Sequence, residues 1–231
     1  MDIFACELYH QNMKLHSILH TNWLATFRLN YHAGGWGAVM RMPIRVYGSL
    51  KLKLQGRIIL PANAQRNMVI INADFEDYTA SAGRAEVCVL GTWQIDGFLR
   101  IGPDSCIYVN DEACLQFGHD IYIARDSRIL CYKHITLGNN VLMGGTYVTD
   151  SSHHHIYKEG TEQPMYGNVV IGDGVYLGFR TILLKGAVIP AGSVVGSGAV
   201  CASDFSKGGA EKLLICGNPA AVKAQNVTAG F

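Results

Sequence analysis

The chain has 231 residues, enough to bury a real core as one large domain. Charged side chains make up 16%, against roughly 25% in an average soluble domain, and the 26 glycines exceed the average share of roughly 7%, a composition that excludes intrinsic disorder and a long charged coiled coil. Lys plus Arg, at 19, nearly balances Asp plus Glu, at 18, so the net charge leaves no footprint for nucleic acid.

In chain order, Asp2 and Glu7 interrupt the start, and no basic-then-apolar signal pattern is present. No apolar run reaches the length of about 18 residues that a spanning helix needs. Seven cysteines (Cys6, Cys88, Cys106, Cys114, Cys131, Cys201 and Cys216) lack the short spacings of a disulfide framework or a zinc pair. They read as reduced thiols of a cytoplasmic protein. Leu15, Ile18, Leu19, Trp23 and Phe27 have helical spacing, which predicts an amphipathic helix over 12–30, ended by Gly34-Gly35 and packed as a cap or subunit contact. The alternation from Leu50 to Gln55 predicts a strand with one solvated face. The weakly periodic stretch from Pro43 to Val89 reads as early, degenerate coils of the repeat that is regular further along the chain, with no separate second domain.

From Ile171 the chain steps by six: Ile171, Leu177, Leu183, Ile189, Val195, then Cys201. Four residues after each of the first five comes Val175, Thr181, Ala187, Ser193 or Ala199. The same hexad runs upstream through Ile95, Ile101 and Ile107, then Phe117, Ile123 and Ile129, then Leu137 and Met143, with slips between runs. Glycine often comes next after the anchor, as at Gly102, Gly118, Gly138, Gly172, Gly178 and Gly196. A period of six is neither helix nor simple strand; hexapeptide repeats read as a parallel β-helix, with the anchors inside and glycine easing the corners. Three sides make a coil of about eighteen residues. The coil ends expose strand edges and need caps.

Between Asp150 and Val170 the hexads vanish, then resume. This segment holds His153, His154 and His155. Loops that leave a rigid scaffold are where function concentrates. Three readings of the histidines stand together. Metal ligation would need a further ligand such as His119 or His134. Plain loop polarity involves no chemistry. General-base catalysis suits imidazole at neutral pH, with Asp150 or a backbone carbonyl as the orienting group. After Cys201, Ser206 to Gly209 is loop-like, and Leu213 to Ala220 reads as a strand-and-turn cap.

The hexads, the histidine loop and the terminal Gly217-Asn218-Pro219-Ala220 together resemble the hexapeptide-repeat acyltransferases, and within them the sugar O-acetyltransferases of capsule, exopolysaccharide and lipopolysaccharide assembly. Residues 150 to 157, DSSHHHIY, are similar to that branch's Asp-x-Asp-x-His-x-Ile-Tyr loop. The alignment puts the family's catalytic histidine at His154, with His153 and His155 as fallbacks. The resemblance implies a left-handed parallel β-helix, a homotrimer, acetyl-CoA as donor in a groove between subunits, a sugar or sugar-containing acceptor, and no metal. Gly178, Ser197 and Gly198 match positions where the family's backbone approaches the pantetheine. Three departures stand out. Ser152 replaces the second loop acid. Ala202 and Ser203 replace a Thr-Lys pair. Ala221 replaces a lysine, for which Lys223, Lys185 or Arg180 could substitute. The expected organisation is a helical capping segment over 1–42, a β-helix over 43–202 with its catalytic loop at 150–170, and a C-terminal cap over 203–231. The alternatives are an amino-sugar N-acyltransferase, a γ-type carbonic anhydrase-like metal β-helix and a non-catalytic trimeric scaffold.

Overall fold

A computed structural model describes residues 20–73 and 83–228. Cys6 and the first part of the expected helix, with Leu15, Ile18 and Leu19, lie outside the described residues.

Helix α1 (Trp23–Arg41) starts at Asn22, whose side chain accepts from the Ala25 N–H at 3.0 Å. Gly34-Gly35 does not end it. Gly35 turns to φ +58°, the helix kinks, and it continues to Arg41. The predicted apolar face is also reversed: Trp23 and Phe27 are exposed, while Ala25, Thr26, Leu29 and Asn30 are buried. The reason is the neighbour. Strand β1 (Ile44–Val46) is the edge of the solenoid, and its backbone needs partners. The Asn30 side chain supplies them, donating to the Ile44 carbonyl at 2.7 Å and accepting from the Ile44 N–H at 3.0 Å. Thr26 Oγ1 accepts from the Val46 N–H. A face carrying Thr and Asn therefore packs, and the aromatic face does not.

From Ile44 onward the chain winds through three parallel sheets. The first coil is β1, β2 (Ser49–Leu54) and β3 (Arg57–Ile59); the second is β4 (Val69–Ile71), β5 (Arg84–Val89) and β6 (Thr92–Ile95). The third is β7 (Leu99–Ile101), β8 (Cys106–Val109) and β9 (Cys114–Phe117); the fourth is β10 (Ile121–Ile123), β11 (Arg128–Cys131) and β12 (His134–Leu137). The fifth begins with β13 (Leu142–Met143) and β14 (Tyr147–Thr149), leaves the coil through the hairpin β15 (Ile156–Lys158) and β16 (Thr161–Gln163), and returns at β17 (Val169–Ile171). Then come β18 (Tyr176–Leu177), β19 (Ile182–Leu183) and β20 (Val188–Ile189), and finally β21 (Val194–Val195) and β22 (Val200–Cys201). Strand β23 (Leu214–Gly217) extends the first sheet past β21, and β24 (Ala220–Ala224) closes it as an antiparallel partner. The stretch from Pro43 thus contributes strands to the same three sheets.

Every predicted anchor from Ile95 to Cys201 is buried, as are Val175, Thr181, Ala187, Ser193 and Ala199. In the regular part, Tyr176 pairs with Val194, Ile182 with Val200 and Val170 with Val188, each 18 residues on. Upstream, Arg100 pairs with Tyr122 and Cys114 with His134, so those coils are 22 and 20 residues long. The extra residues lie in the turns and cause the phase slips. The glycines after the anchors serve a different purpose from the expected one. None of Gly102, Gly118, Gly138, Gly172, Gly178 and Gly196 has a positive φ. A Cβ at Gly172 would lie 2.6 Å from the Ala191 nitrogen on the next coil, so these positions are small because adjacent coils nearly touch. The left-handed corners are held by other residues, among them Asp104, Asp126, Asn140 and Gly198.

Candidate functional site

The histidine segment leaves the coil between the second and third sheets. Asp150 fixes its base. This carboxylate is fully buried and accepts from the backbone N–H groups of Tyr132, Lys133 and His134, each at 2.7 Å. Three such bonds to an ionised group make a strong clamp, so Asp150, expected to orient a catalytic histidine, binds the corner of the preceding coil. The return strand is tied in by the Gly167 N–H donating to the Asp150 carbonyl and the Ser152 N–H donating to the Met165 carbonyl, both at 2.9 Å. Lys185 Nζ donates to the Pro164 carbonyl at 2.5 Å. That lysine holds the excursion in place. The excursion itself is a hairpin, which the sequence did not suggest.

The three histidines are all exposed but differ in what they touch. His153 has a left-handed backbone, its N–H donates to Ser151 Oγ at 3.0 Å, and its ring stands edge-on to Tyr132 with centroids 4.7 Å apart. Tyr132 in turn packs against Tyr108. His155 Nδ1 pairs with Glu162 Oε1 across the hairpin. The His154 carbonyl lies 3.0 Å from Ser152 Oγ, which is also 3.2 Å from the Met165 carbonyl. Ser152, where the family has its second acid, thus steadies the backbone of His154. Among the described residues, no partner is recorded for the His154 ring. Tyr132 and Glu162 were invisible in the sequence, because each meets its histidine through coil or hairpin register and not through spacing.

His119 and His134, weighed as extra metal ligands, are engaged elsewhere. His119 Nδ1 lies 2.8 Å from Asp120 Oδ2, and His134 Nε2 lies 3.1 Å from Thr136 Oγ1. Among the described residues no three His, Cys, Asp or Glu side chains converge on a point that would hold a metal.

Gly178, Ser197 and Gly198 do come together, at the corner between the first and second sheets. A Cβ on Gly178 would lie 2.7 Å from the Ser197 nitrogen, and Gly198 takes φ +72°. Phe179 is exposed beside them, with the Arg180 guanidinium 5.2 Å from its ring centre. This corner offers an open aromatic surface and a cation, while the Gly178 N–H donates to the Val195 carbonyl at 2.8 Å and the Gly198 N–H to the Phe179 carbonyl at 2.9 Å. Lys223 is exposed on β24. Within one chain, however, the corner of Gly178 and the corner of the histidine hairpin are different corners of the triangle.

The buried thiols near these elements are not reactive groups. Burial first, then the neighbouring Asp150 carboxylate, pushes the Cys131 thiol far up, and burial pushes Cys201 up to about 11.

Fold and site together define a hexapeptide-repeat solenoid with one histidine-bearing excursion. No family model matches the chain. It is 29% identical over 162 residues to Probable acetyltransferase Rv3034c of Mycobacterium tuberculosis, an alignment covering 68% of this chain and 50% of that protein. It is 31% identical over 93 residues to C18B11.09c of Schizosaccharomyces pombe, which also carries an acetyltransferase name; 39% of this chain and 45% of that protein are covered. The chain therefore spans about half the length of the curated relatives it matches. Among solved structures, the polySia specific acetyltransferase NeuO superposes with a TM-score of 0.52 at 18% identity, covering 81% of this chain and 88% of that one, which shows a shared fold. The chain thus has the fold of a hexapeptide-repeat solenoid and is similar in sequence to proteins that carry acetyltransferase names.

Proposed function

We infer that this chain is an acetyl-CoA-dependent O-acetyltransferase that esterifies a hydroxyl of a sugar-containing acceptor in surface-polysaccharide assembly, with His154 as general base. One observation carries the assignment of the base: the hairpin fixes the His154 backbone while the rings on either side are engaged by Tyr132 and Glu162, leaving the His154 imidazole presented to solvent. The acetyltransferase names of the curated relatives, and the likeness of residues 150–157 to the Asp-x-Asp-x-His-x-Ile-Tyr loop, support the reaction class.

The thioester supplies an activated acyl carbon. The chain's own groups do the rest. The His154 ring takes the proton of the acceptor hydroxyl as its oxygen forms the bond to the acyl carbon. The C–S bond then breaks, and the imidazolium returns that proton to the leaving thiolate. A backbone N–H would stabilise the oxyanion between these steps. The corner of Gly178, Ser197 and Gly198 would hold the pantetheine arm, with Arg180 and Lys223 as cations for the phosphates. Because hairpin and corner stand at different corners of one chain, the reading requires the corner of one copy to face the hairpin of the next, as in a homotrimer.

The test is acceptor-dependent release of free CoA thiol. His154→Ala is expected to lower turnover by about 10²–10⁴-fold, with thiol release matched by a base-labile ester on the acceptor. Turnover within about threefold of wild type would sink the assignment of His154, and an alkali-stable amide product would identify an amine acceptor instead.

A further inference from the structure

The near-neutral net charge of the chain conceals a segregation. Residues 20–73 contain seven Lys and Arg and no Asp or Glu, while the remainder of the chain carries 12 basic and 18 acidic side chains. This stretch is α1 plus the first coil, so the cations gather at one end of the solenoid. Arg28 and Arg41 lie exposed on α1, and Lys53, Arg57 and Arg66 lie exposed around the first coil and the turn after it. The same end carries a large apolar surface. Trp23, Leu24, Phe27, Tyr31, Trp36 and Met40 are all exposed, Leu24 at 71% and Met40 at 81%. The rings are ordered on one another: Phe27 and Tyr31 stack within 4° of parallel, and Trp36 stands edge-on to both at 5.7 and 5.8 Å. A helix capping a solenoid in water should turn a polar face outward. This one turns its polar Thr26 and Asn30 inward and its aromatic face out.

We propose that this end of the solenoid docks on the surface of an anionic lipid bilayer. Exposed Trp and Tyr match the headgroup level, Leu24, Phe27 and Met40 match the acyl boundary beneath it, and the arginines match lipid phosphates. A soluble polyanion would engage the cations but leave Leu24 and Met40 in water. A second copy meeting this face would oppose like charges. Among the described residues no helix is long and apolar enough to cross a membrane, so the contact is with the surface. The histidine hairpin leaves the fifth coil, about 19 Å along the stack from the first at a strand spacing of about 4.8 Å, so it stands clear of the headgroups and faces material tethered to them.

The test is flotation of the full chain with vesicles of phosphatidylcholine alone or mixed with phosphatidylglycerol, a readout in which acetyl transfer plays no part. The protein should float with the mixed vesicles, remain behind with phosphatidylcholine alone, and partition less as salt is raised. Trp36→Ser with Met40→Ser, and separately Arg28→Glu with Arg41→Glu, should each lower partitioning at least about tenfold with unchanged circular dichroism and unfolding midpoint. Absence of flotation, or undiminished flotation of both variants, overturns the proposal. So does retention of the wild-type chain on heparin without flotation, matched by the Trp36→Ser, Met40→Ser variant, which would mark a soluble polyanion as the ligand. A smaller sedimenting mass for that variant than for wild type would show instead that a second copy covers the face.

Discussion

At the scale of single residues, Asp150 shows how position decides role. Beside three histidines it reads as an orienting acid, but its carboxylate is spent on three backbone N–H groups of the preceding coil. Asp150→Ala would leave those donors buried without an acceptor, which costs about 2–4 kcal/mol. Urea unfolding should show that loss, and a change under about 0.5 kcal/mol would contradict the clamp. The buried thiols give a second prediction. Burial holds Cys201 at about 11, above its ordinary value of 9.0, and raises Cys106, Cys114 and Cys131 as well. The folded state therefore keeps these protons longer than the unfolded chain does. Their stabilising contribution is complete below pH 9 and is lost as pH rises toward 11. The urea midpoint should fall across that window and fall less in Cys201→Ala; a midpoint flat through it would refute the assignment.

At the scale of elements, the hexads were legible because an inward side chain every six residues has few alternatives, and each anchor from Ile95 to Cys201 is indeed buried. Sequence also singled out the excursion at 150–170. It did not reveal the hairpin within it, whose strands carry exposed Ile156, Tyr157 and Glu162 and no inward–outward alternation. Nor did it give the orientation of α1, since helical spacing at Trp23 and Phe27 marks a face without saying what lies beneath it. The face was decided by the edge of β1, whose backbone the Thr26 and Asn30 side chains bond. The glycines separate two causes that sequence cannot distinguish. Gly172→Ala would push a Cβ against the Ala191 backbone and should cost about 1–3 kcal/mol. Gly37→Ala, in α1 with nothing within 4 Å of the new atom, should be neutral or stabilising by up to about 1 kcal/mol. Thermal or urea unfolding of the pair checks both, and equal effects would mean that coil contact is not what excludes a side chain at Gly172.

At the scale of the whole molecule, the solenoid separates three features along one rod: a cationic, aromatic end, a histidine hairpin on the fifth coil, and the open corner of Gly178, Ser197 and Gly198. Sequence singled out the second and third as segments but could not show that they occupy different corners of the triangle, because that depends on how many sides lie between them. The proposed chemistry thus depends on neighbouring copies, and mixed assemblies test it most directly. His154→Ala removes the base, and Ser197→Trp blocks the exposed corner; each variant alone should be inactive. When the two chains are co-expressed in equal amounts, an interface that pairs the intact hairpin of one with the intact corner of the other should form in about one case in four, restoring about a quarter of wild-type turnover. Mixed trimers no more active than either variant would contradict a site shared between subunits.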